Sequence, residues 1–149
     1  MKGENKTLLV FSPAFPNDEQ DNWLPWLRHT VQAINKNFPQ LNIVIFSFKY
    51  PAVYSTYTWN GNTVLSFGHK QKNKLATLQS RLKIWAAFRR IKKTGNIVGI
   101  LSVWCGECAY LAKFCAGKTI QHYCWIVGQD ARPHNKYVKK IQPQGGQLV

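Results

Sequence analysis

Two cysteines separated by two residues have the spacing in this sequence that most directly indicates chemistry. Cys105 and Cys108 follow an apolar run of strand length and stand where a helical pattern begins. A Cys-x-x-Cys pair at a helix N-terminus lowers a thiol pKa and supports disulfide exchange. The same pair supplies half of a structural zinc site. Cys115 and Cys124 form no second closely spaced pair, so we expect no metal and predict small buried side chains there.

A second turn lies between an apolar run and a helical pattern at Gly128-Gln129-Asp130. Glycine lets the backbone approach a ligand closely. Asp130 can either cap the following helix or accept hydrogen bonds from sugar hydroxyls, and the sequence leaves both roles open.

Both turns belong to one stretch, residues 97–132, which has the pattern strand, Cys-rich turn, helix, strand, turn. This order predicts a βαβ unit with two parallel strands. The turns that follow such strands lie at one edge of the sheet, where open α/β folds bind ligands. We therefore expect the chemistry of the chain at this edge.

Further apolar runs at 7–12 and 42–48 predict buried strands, because neither run alternates with polar residues. Asn60-Gly61 between the β-forming segments 54–59 and 63–67 predicts a hairpin. The fold class is therefore α/β: a Rossmann-like, mostly parallel sheet with helices on both faces and one inserted hairpin. Residues 1–149 form a single domain.

Two helices are predicted before residue 97. The first begins after Asp21 or Asn22 as its cap, with Pro25 in its first turn. The second, at 72–93, is strongly basic and ends at Gly95. Its predicted apolar side is formed by Leu75, Leu78, Leu82, Trp85, Phe88 and Ile91.

Charge and length restrict the function further. Twenty lysines and arginines against six acids give a net charge of +14, which attracts phosphates, nucleic acid or an anionic membrane surface. No apolar run approaches the roughly 18 residues of a membrane helix, and the N-terminus lacks a signal-peptide core. We expect a cytoplasmic protein with reduced thiols, possible peripheral contact with an anionic membrane, and no nucleic-acid partner, because the aromatic residues follow core spacing.

The Trp-Cys-Gly-x-Cys sequence at 104–108 resembles the active-site turn of thioredoxins. Glu107 replaces the usual proline, and its carboxylate opposes thiolate formation. The 41 residues after Cys108 are too few for the closing elements of a thioredoxin. Thiol-disulfide exchange by Cys105 and Cys108 is therefore an alternative function, as is binding of nucleic acid by a basic module.

A different resemblance covers most of the chain. Its segments are Phe11-Ser12-Pro13, Trp59-Asn60-Gly61, residues 96–109, His122 through Arg132, and Asn135-Lys136-Tyr137-Val138. Together they resemble the N-terminal, acceptor-side domain of a bacterial family 4-type glycosyltransferase of the GT-B fold. The loop at 14–22 lacks the paired glycines common in that family, and the donor-binding pair of glutamates eight positions apart is absent.

The resemblance implies the acceptor-binding half of a retaining enzyme that transfers a sugar from a nucleotide-sugar to a glycan or lipid-linked acceptor of the cell envelope. The resemblance implies that the donor binds a C-terminal GT-B domain missing from residues 1–149, so we expect a fragment truncated before that domain. We expect no cofactor in this domain and no turnover without its missing partner. No catalytic residue is assigned. The residues expected to line the acceptor cleft are Asn17, Asp18, Asn22, Trp104, Glu107, Gly128, Asp130 and Arg132.

Overall fold

The first strand, β1 (Lys6–Ala14), is apolar on both of its faces and occupies the middle of the sheet. Leu9 and Phe11 point to one face and Val10 to the other, and all three are fully buried. The structure is a computed structural model that describes residues 6–68, 73–128, 130, 132 and 134–141. Gln129 of the second predicted turn and the segment 142–149 lie outside the described residues.

Six strands form one sheet in the order β3-β4-β2-β1-β5-β6. Every neighbouring pair is parallel except β3 and β4. The mostly parallel sheet predicted from the sequence is confirmed, in an order compatible with a Rossmann-like fold. The remaining strands are β2 (Asn42–Tyr50), β3 (Tyr54–Trp59), β4 (Asn62–Phe67), β5 (Asn96–Val103) and β6 (His122–Trp125).

A tight turn at Asn60-Gly61 connects β3 to β4. Both residues have positive φ, 44° and 78°, as a two-residue hairpin turn requires. β4 pairs antiparallel with β3 on one side and parallel with β2 on the other, so this strand connects the hairpin to the parallel part of the sheet.

Helices cover both faces of the sheet. α1 (Pro25–Asn37) buries Leu27 and Val31 against the face that carries Val10, while α2 (Lys74–Thr94) and α3 (Glu107–Ala116) pack on the face of Phe11. The short α4 (Lys136–Ile141) packs on α3 through Val138 and Ile141. β5, α3 and β6 form the predicted βαβ unit. The α/β class is therefore confirmed.

The predicted cap of the first helix is wrong. Leu24 is the N-cap residue, in the left-handed region with φ 51°, and no side chain caps the helix. Asp21 instead accepts hydrogen bonds from the N–H groups of Asn17 and Trp23, so its carboxylate stabilises the preceding loop.

Part of the predicted apolar side of α2 is also wrong. Leu75, Leu78 and Leu82 are 64%, 54% and 57% exposed. The buried residues of α2 are Ser80, Ile84 and Phe88, which are spaced four apart and face the sheet. At 100° per residue the three leucines fall on a stripe turned away from that line.

We expect Phe11→Ala to lower the free energy of unfolding by about 3–5 kcal/mol, because it leaves a cavity in a closely packed core. The Phe11 ring is fully buried and stacks on Phe46 with 4.7 Å between ring centroids. Leu78→Ala is the matched control, and its effect should stay within about 0.5 kcal/mol because the side chain is exposed. Urea unfolding of both variants measures the difference. Equal losses would contradict the described orientation of α2.

Candidate functional site

The strand order reverses at β1, which has β2 on one side and β5 on the other. Ligands of open α/β folds bind at such a point, beyond the carboxyl ends of the strands. A cavity of about 280 Å³ lies there. It is lined by Pro13, Phe48, Lys49, Val103, Trp104, Gly106, Glu107, Cys108 and Tyr137.

A larger recess of about 680 Å³ opens at the opposite edge, between the end of α2 and the amino ends of the strands. Polar Thr and Asn side chains line much of it, with Arg90 and Lys93 at its rim. We place the candidate site in the smaller cavity, because the ends of β1 and β5 converge there and the predicted residues Trp104 and Glu107 form part of its wall.

Trp104 is held in a strained conformation at the end of β5. Its φ of 63° lies in the left-handed region, which is unusual for a bulky residue and costs on the order of 1–3 kcal/mol. Its N–H donates to the carbonyl of Trp125 at 2.9 Å, and the Trp26 ring contacts it edge-on. Strain of this kind concentrates at functional sites, which supports placing the site here.

Glu107 is the first residue of α3 and lies in the cavity wall. Its Oε1 accepts two hydrogen bonds from Arg81, from Nε at 3.2 Å and from Nη2 at 3.1 Å. The Glu107 side chain is 12% exposed and that of Arg81 40%. Because both bonds go to Oε1, Oε2 takes part in neither, and Glu107 retains an acceptor oxygen on a fixed carboxylate.

Asp130 joins the two turns that the sequence placed at one edge. Its Oδ2 accepts from the N–H of Cys105 at 2.8 Å, and its Oδ1 accepts from the N–H of Val127 at 3.0 Å. Asn135 completes the connection: its Nδ2 donates to the carbonyls of Cys105 and Asp130 at 2.7 and 2.6 Å. The carboxylate of Asp130 therefore holds backbone of both turns rather than facing the cavity.

Polar side chains of the loop after β1 bind the loop's own backbone and the side chain of Arg28 in α1. Asp18 Oδ1 accepts from the N–H groups of Gln20 and Asp21, and Asn22 Oδ1 accepts from Arg28 Nη1 at 2.8 Å. Asn17, Asp18 and Asn22 lie at the predicted edge but outside the cavity lining, as do Gly128, Asp130 and the exposed Arg132.

Sequence reasoning missed four residues around this edge. Lys49 lies at the end of β2, so the rule that found Trp104 would have found it. Asn135 and Tyr137 were named only within a segment of the resemblance and not as site residues, and tertiary packing brings them to this edge. The fourth is Tyr50, whose hydroxyl donates to Asp21 Oδ2 at 2.9 Å. Burial opposes ionisation of Asp21, but the N–H groups of Asn17 and Trp23 and the Tyr50 hydroxyl outweigh it and lower the pKa.

The two thiols of the Cys-x-x-Cys motif are buried and free of disulfides. Cys105 is 2% exposed, and burial together with the neighbouring Cys124 raises its pKa to about 11. Burial and Glu107 raise the pKa of Cys108 well above its usual value. Both shifts favour the neutral thiol, opposite to the direction that thiol-disulfide exchange requires.

Another buried polar pair lies behind the turn. The Ser102 hydroxyl and His122 Nε2 are 2.8 Å apart across β5 and β6. Burial and the nearby Lys113 lower the pKa of His122 to about 4, so the imidazole is neutral at pH 7. Within the described part of the chain, no group of three or more His, Cys, Asp or Glu side chains is arranged to hold a metal ion.

Comparison with protein-family models, with curated proteins and with solved structures found no match to this chain.

We expect Asp130→Ala and Asn135→Ala each to lower the free energy of unfolding by about 1–3 kcal/mol, because each leaves backbone groups of the turns without a partner. Since the two side chains share Cys105 as a partner, the double variant should lose less than the sum of the single losses. Urea unfolding provides all three values. The control is Arg132→Ala, which changes an exposed side chain of the same turn. Strict additivity would contradict a shared network.

We expect the thiol of Cys105 to react slowly with a disulfide reagent in the folded protein. With a pKa of about 11, roughly one thiol in ten thousand is ionised at pH 7, about three hundredfold fewer than for an unperturbed cysteine with a pKa of about 8.5. The rate should rise with pH up to about 11 and should increase at pH 7 when urea unfolds the chain. Stopped-flow absorbance measures it, and Cys105→Ser identifies the contribution of this residue. A fast phase at pH 7 that disappears in Cys105→Ser would restore the redox alternative.

Proposed function

We propose that this chain is the acceptor-side half of a retaining glycosyltransferase of the GT-B type, acting in the cytoplasm or at the inner face of the membrane. The observation that carries the proposal is the cavity beyond the carboxyl ends of β1 and β5, whose wall contains a strained tryptophan and a carboxylate fixed through one oxygen. In this proposal the β3–β4 hairpin is an insertion in a Rossmann-like half.

Glu107 is the proposed acceptor-binding group. Its Oε1 is fixed by Arg81, so the carboxylate has a set orientation without further loss of side-chain freedom. Oε2 can accept a hydrogen bond from a sugar hydroxyl, and a hydrogen bond to a charged group contributes about 1.5–3 kcal/mol. The role is orientation of the acceptor, and no proton transfer is assigned to it.

Trp104 and Lys49 provide two further kinds of contact in the same cavity. The indole offers an apolar surface on which the C–H face of a sugar ring can pack. The Lys49 ammonium, which is exposed, can pair with a phosphate if the acceptor carries one. A glycan or a sugar linked to lipid through phosphate matches both contacts. Arg132, also exposed, lies farther along the same edge and would offset phosphate charge outside the cavity.

A nucleotide-sugar would be bound by a second, C-terminal domain across the cleft. This assignment rests on the sequence resemblance. By the same resemblance, the domain described here would bind the acceptor and would have no turnover alone. The thiol alternative receives no support from the buried, high-pKa cysteines, and none of the cysteine thiols is given a role in transfer.

Saccharide binding tests the proposal. Saturation-transfer NMR with a panel of mono- and oligosaccharides and their 1-phosphates should identify a ligand whose signal disappears in Glu107→Gln. We expect this substitution to weaken binding about tenfold or more, since it removes a charged acceptor.

Arg81→Gln is the matched control, because it breaks the same ion pair and leaves the carboxylate in place. It should weaken binding by no more than about threefold, the cost of orienting a freed side chain. Equal losses in both variants would assign Glu107 a structural role only. Absence of saturable binding across the panel would overturn the proposal.

A further inference from the structure

We propose that the outward side of α2, together with Phe114 of α3, docks on the surface of an anionic lipid bilayer. We name this surface the leucine face and define it by Leu75, Leu78, Leu82 and Phe114. The inference goes beyond glycosyl transfer, because it requires neither a sugar nor a second domain.

Exposed apolar area is the first observation. All four side chains of the leucine face are more than half exposed, Phe114 at 62%. The three leucines follow spacings of three and four, so they form one stripe. Contiguous apolar patches of this kind mark interaction surfaces in proteins that are otherwise well packed.

An apolar groove continues the leucine face toward α3. It encloses about 370 Å³. Trp85 and Phe114 contact each other in its wall, with ring centroids 5.1 Å apart. Its lining is Arg81, Leu82, Ile84, Trp85, Tyr110, Leu111, Phe114 and Cys115. A groove with this lining can take an acyl chain or another apolar group but offers few polar partners.

Charge identifies the partner. α2 contains no acid, and Arg89 and Lys93 continue the leucine stripe toward its C-terminus, where both are exposed. The remaining basic residues of α2 are Lys74, Arg81, Lys83, Arg90 and Lys92. Leucines flanked by lysines and arginines are the composition of helices that lie in the interface of anionic membranes. Each cation near such a surface contributes about 1 kcal/mol.

The leucine face would contact the membrane surface without the chain crossing the bilayer. None of the described helices is long and apolar enough to cross a bilayer. Ser80, Ile84 and Phe88 hold the other side of α2 on the sheet, so the helix can contact lipid only through its outward side. It would lie parallel to the membrane, with leucines among the acyl chains and cations at the headgroups.

A lipid surface fits these observations better than nucleic acid or a second copy. Phosphodiester backbones would pair with the cations but gain nothing from aliphatic side chains, and nucleic-acid surfaces use aromatic side chains between the bases instead. A second copy would bring a second set of α2 cations against the first, and like charges in contact are unfavourable.

Vesicle binding tests the proposal. The full chain is sedimented with vesicles of phosphatidylcholine, with and without phosphatidylglycerol, and no saccharide is present. We expect binding only to the vesicles that contain phosphatidylglycerol. Leu82→Gln/Arg89→Gln removes one apolar side chain and one cation from the leucine face and its extension, and should lower the partition coefficient about twentyfold.

The matched control is Lys36→Gln/Phe38→Gln at the C-terminal end of α1, across the sheet. It changes the net charge equally and removes a ring that is 52% exposed, close to the 57% of Leu82. The control should alter the partition coefficient by no more than about twofold, because neither residue faces the membrane. Circular dichroism and urea unfolding of both variants establish that each is folded.

Four results would overturn the proposal. The first is the absence of binding to phosphatidylglycerol vesicles at low salt, and the second is an equal loss of binding in the test and control variants. The third is self-association that Leu82→Gln/Arg89→Gln abolishes, in a protein that does not bind vesicles. The fourth is tight binding of duplex DNA that survives Leu78→Gln/Leu82→Gln, again in a protein that does not bind vesicles. The saccharide assay contains no lipid and this one contains no sugar, so failure of either leaves the other result intact.

Discussion

The parallel pairing of β1 with β2 and β5 is the constraint on which the rest of this structure depends. It brings the carboxyl ends of three strands to one edge, so the loop after β1, Lys49 and the turn at Trp104 become neighbours. Because both faces of β1 are buried, a helix must cover each side. Parallel neighbours that follow one another in the chain need long crossover connections, and α1 and α3 form these between β1 and β2 and between β5 and β6. The cavity is a consequence of this arrangement rather than of any single motif.

The acids of the described residues collect at that same edge, where Asp18 and Asp21 order the first loop, Glu107 holds Arg81, and Asp130 holds two turns. These four carboxylates are bound by backbone N–H groups, by the Tyr50 hydroxyl and by one guanidinium. α2, in contrast, has seven basic residues and no acid. The net charge of +14 is therefore unevenly arranged, and the proposed acceptor site and the proposed lipid-facing surface consist of different residues.

Apolar periodicity predicted the strands, the βαβ unit at 97–132 and the two-layer coverage by helices, because burial in a sheet imposes long apolar runs. It failed for α2, where spacing alone places leucines on one stripe without showing which stripe meets the sheet. The predicted cap of α1 was wrong for another reason: an aspartate such as Asp21 is as well suited to a loop as to a helix start. Asp130 was predicted as either a cap or a sugar ligand. Its partner Cys105 lies 25 residues earlier in the chain, and only tertiary structure brings them together.

The strain at Trp104 shows how the site and the network depend on each other. In the left-handed conformation this residue reverses the chain at the end of β5 and directs the N–H of Cys105 toward Asp130. The Trp125 carbonyl and the Asp130 carboxylate then stabilise a turn that a bulky residue would not adopt alone. Glu107 follows three residues later and begins α3, so the same turn fixes the cavity wall and the anchor of Arg81. Since Arg81 belongs to α2, the position of the leucine face relative to the cavity is set through this ion pair and the core contacts of α2. In the two proposals taken together, this ion pair connects the acceptor cavity with the surface that would contact lipid.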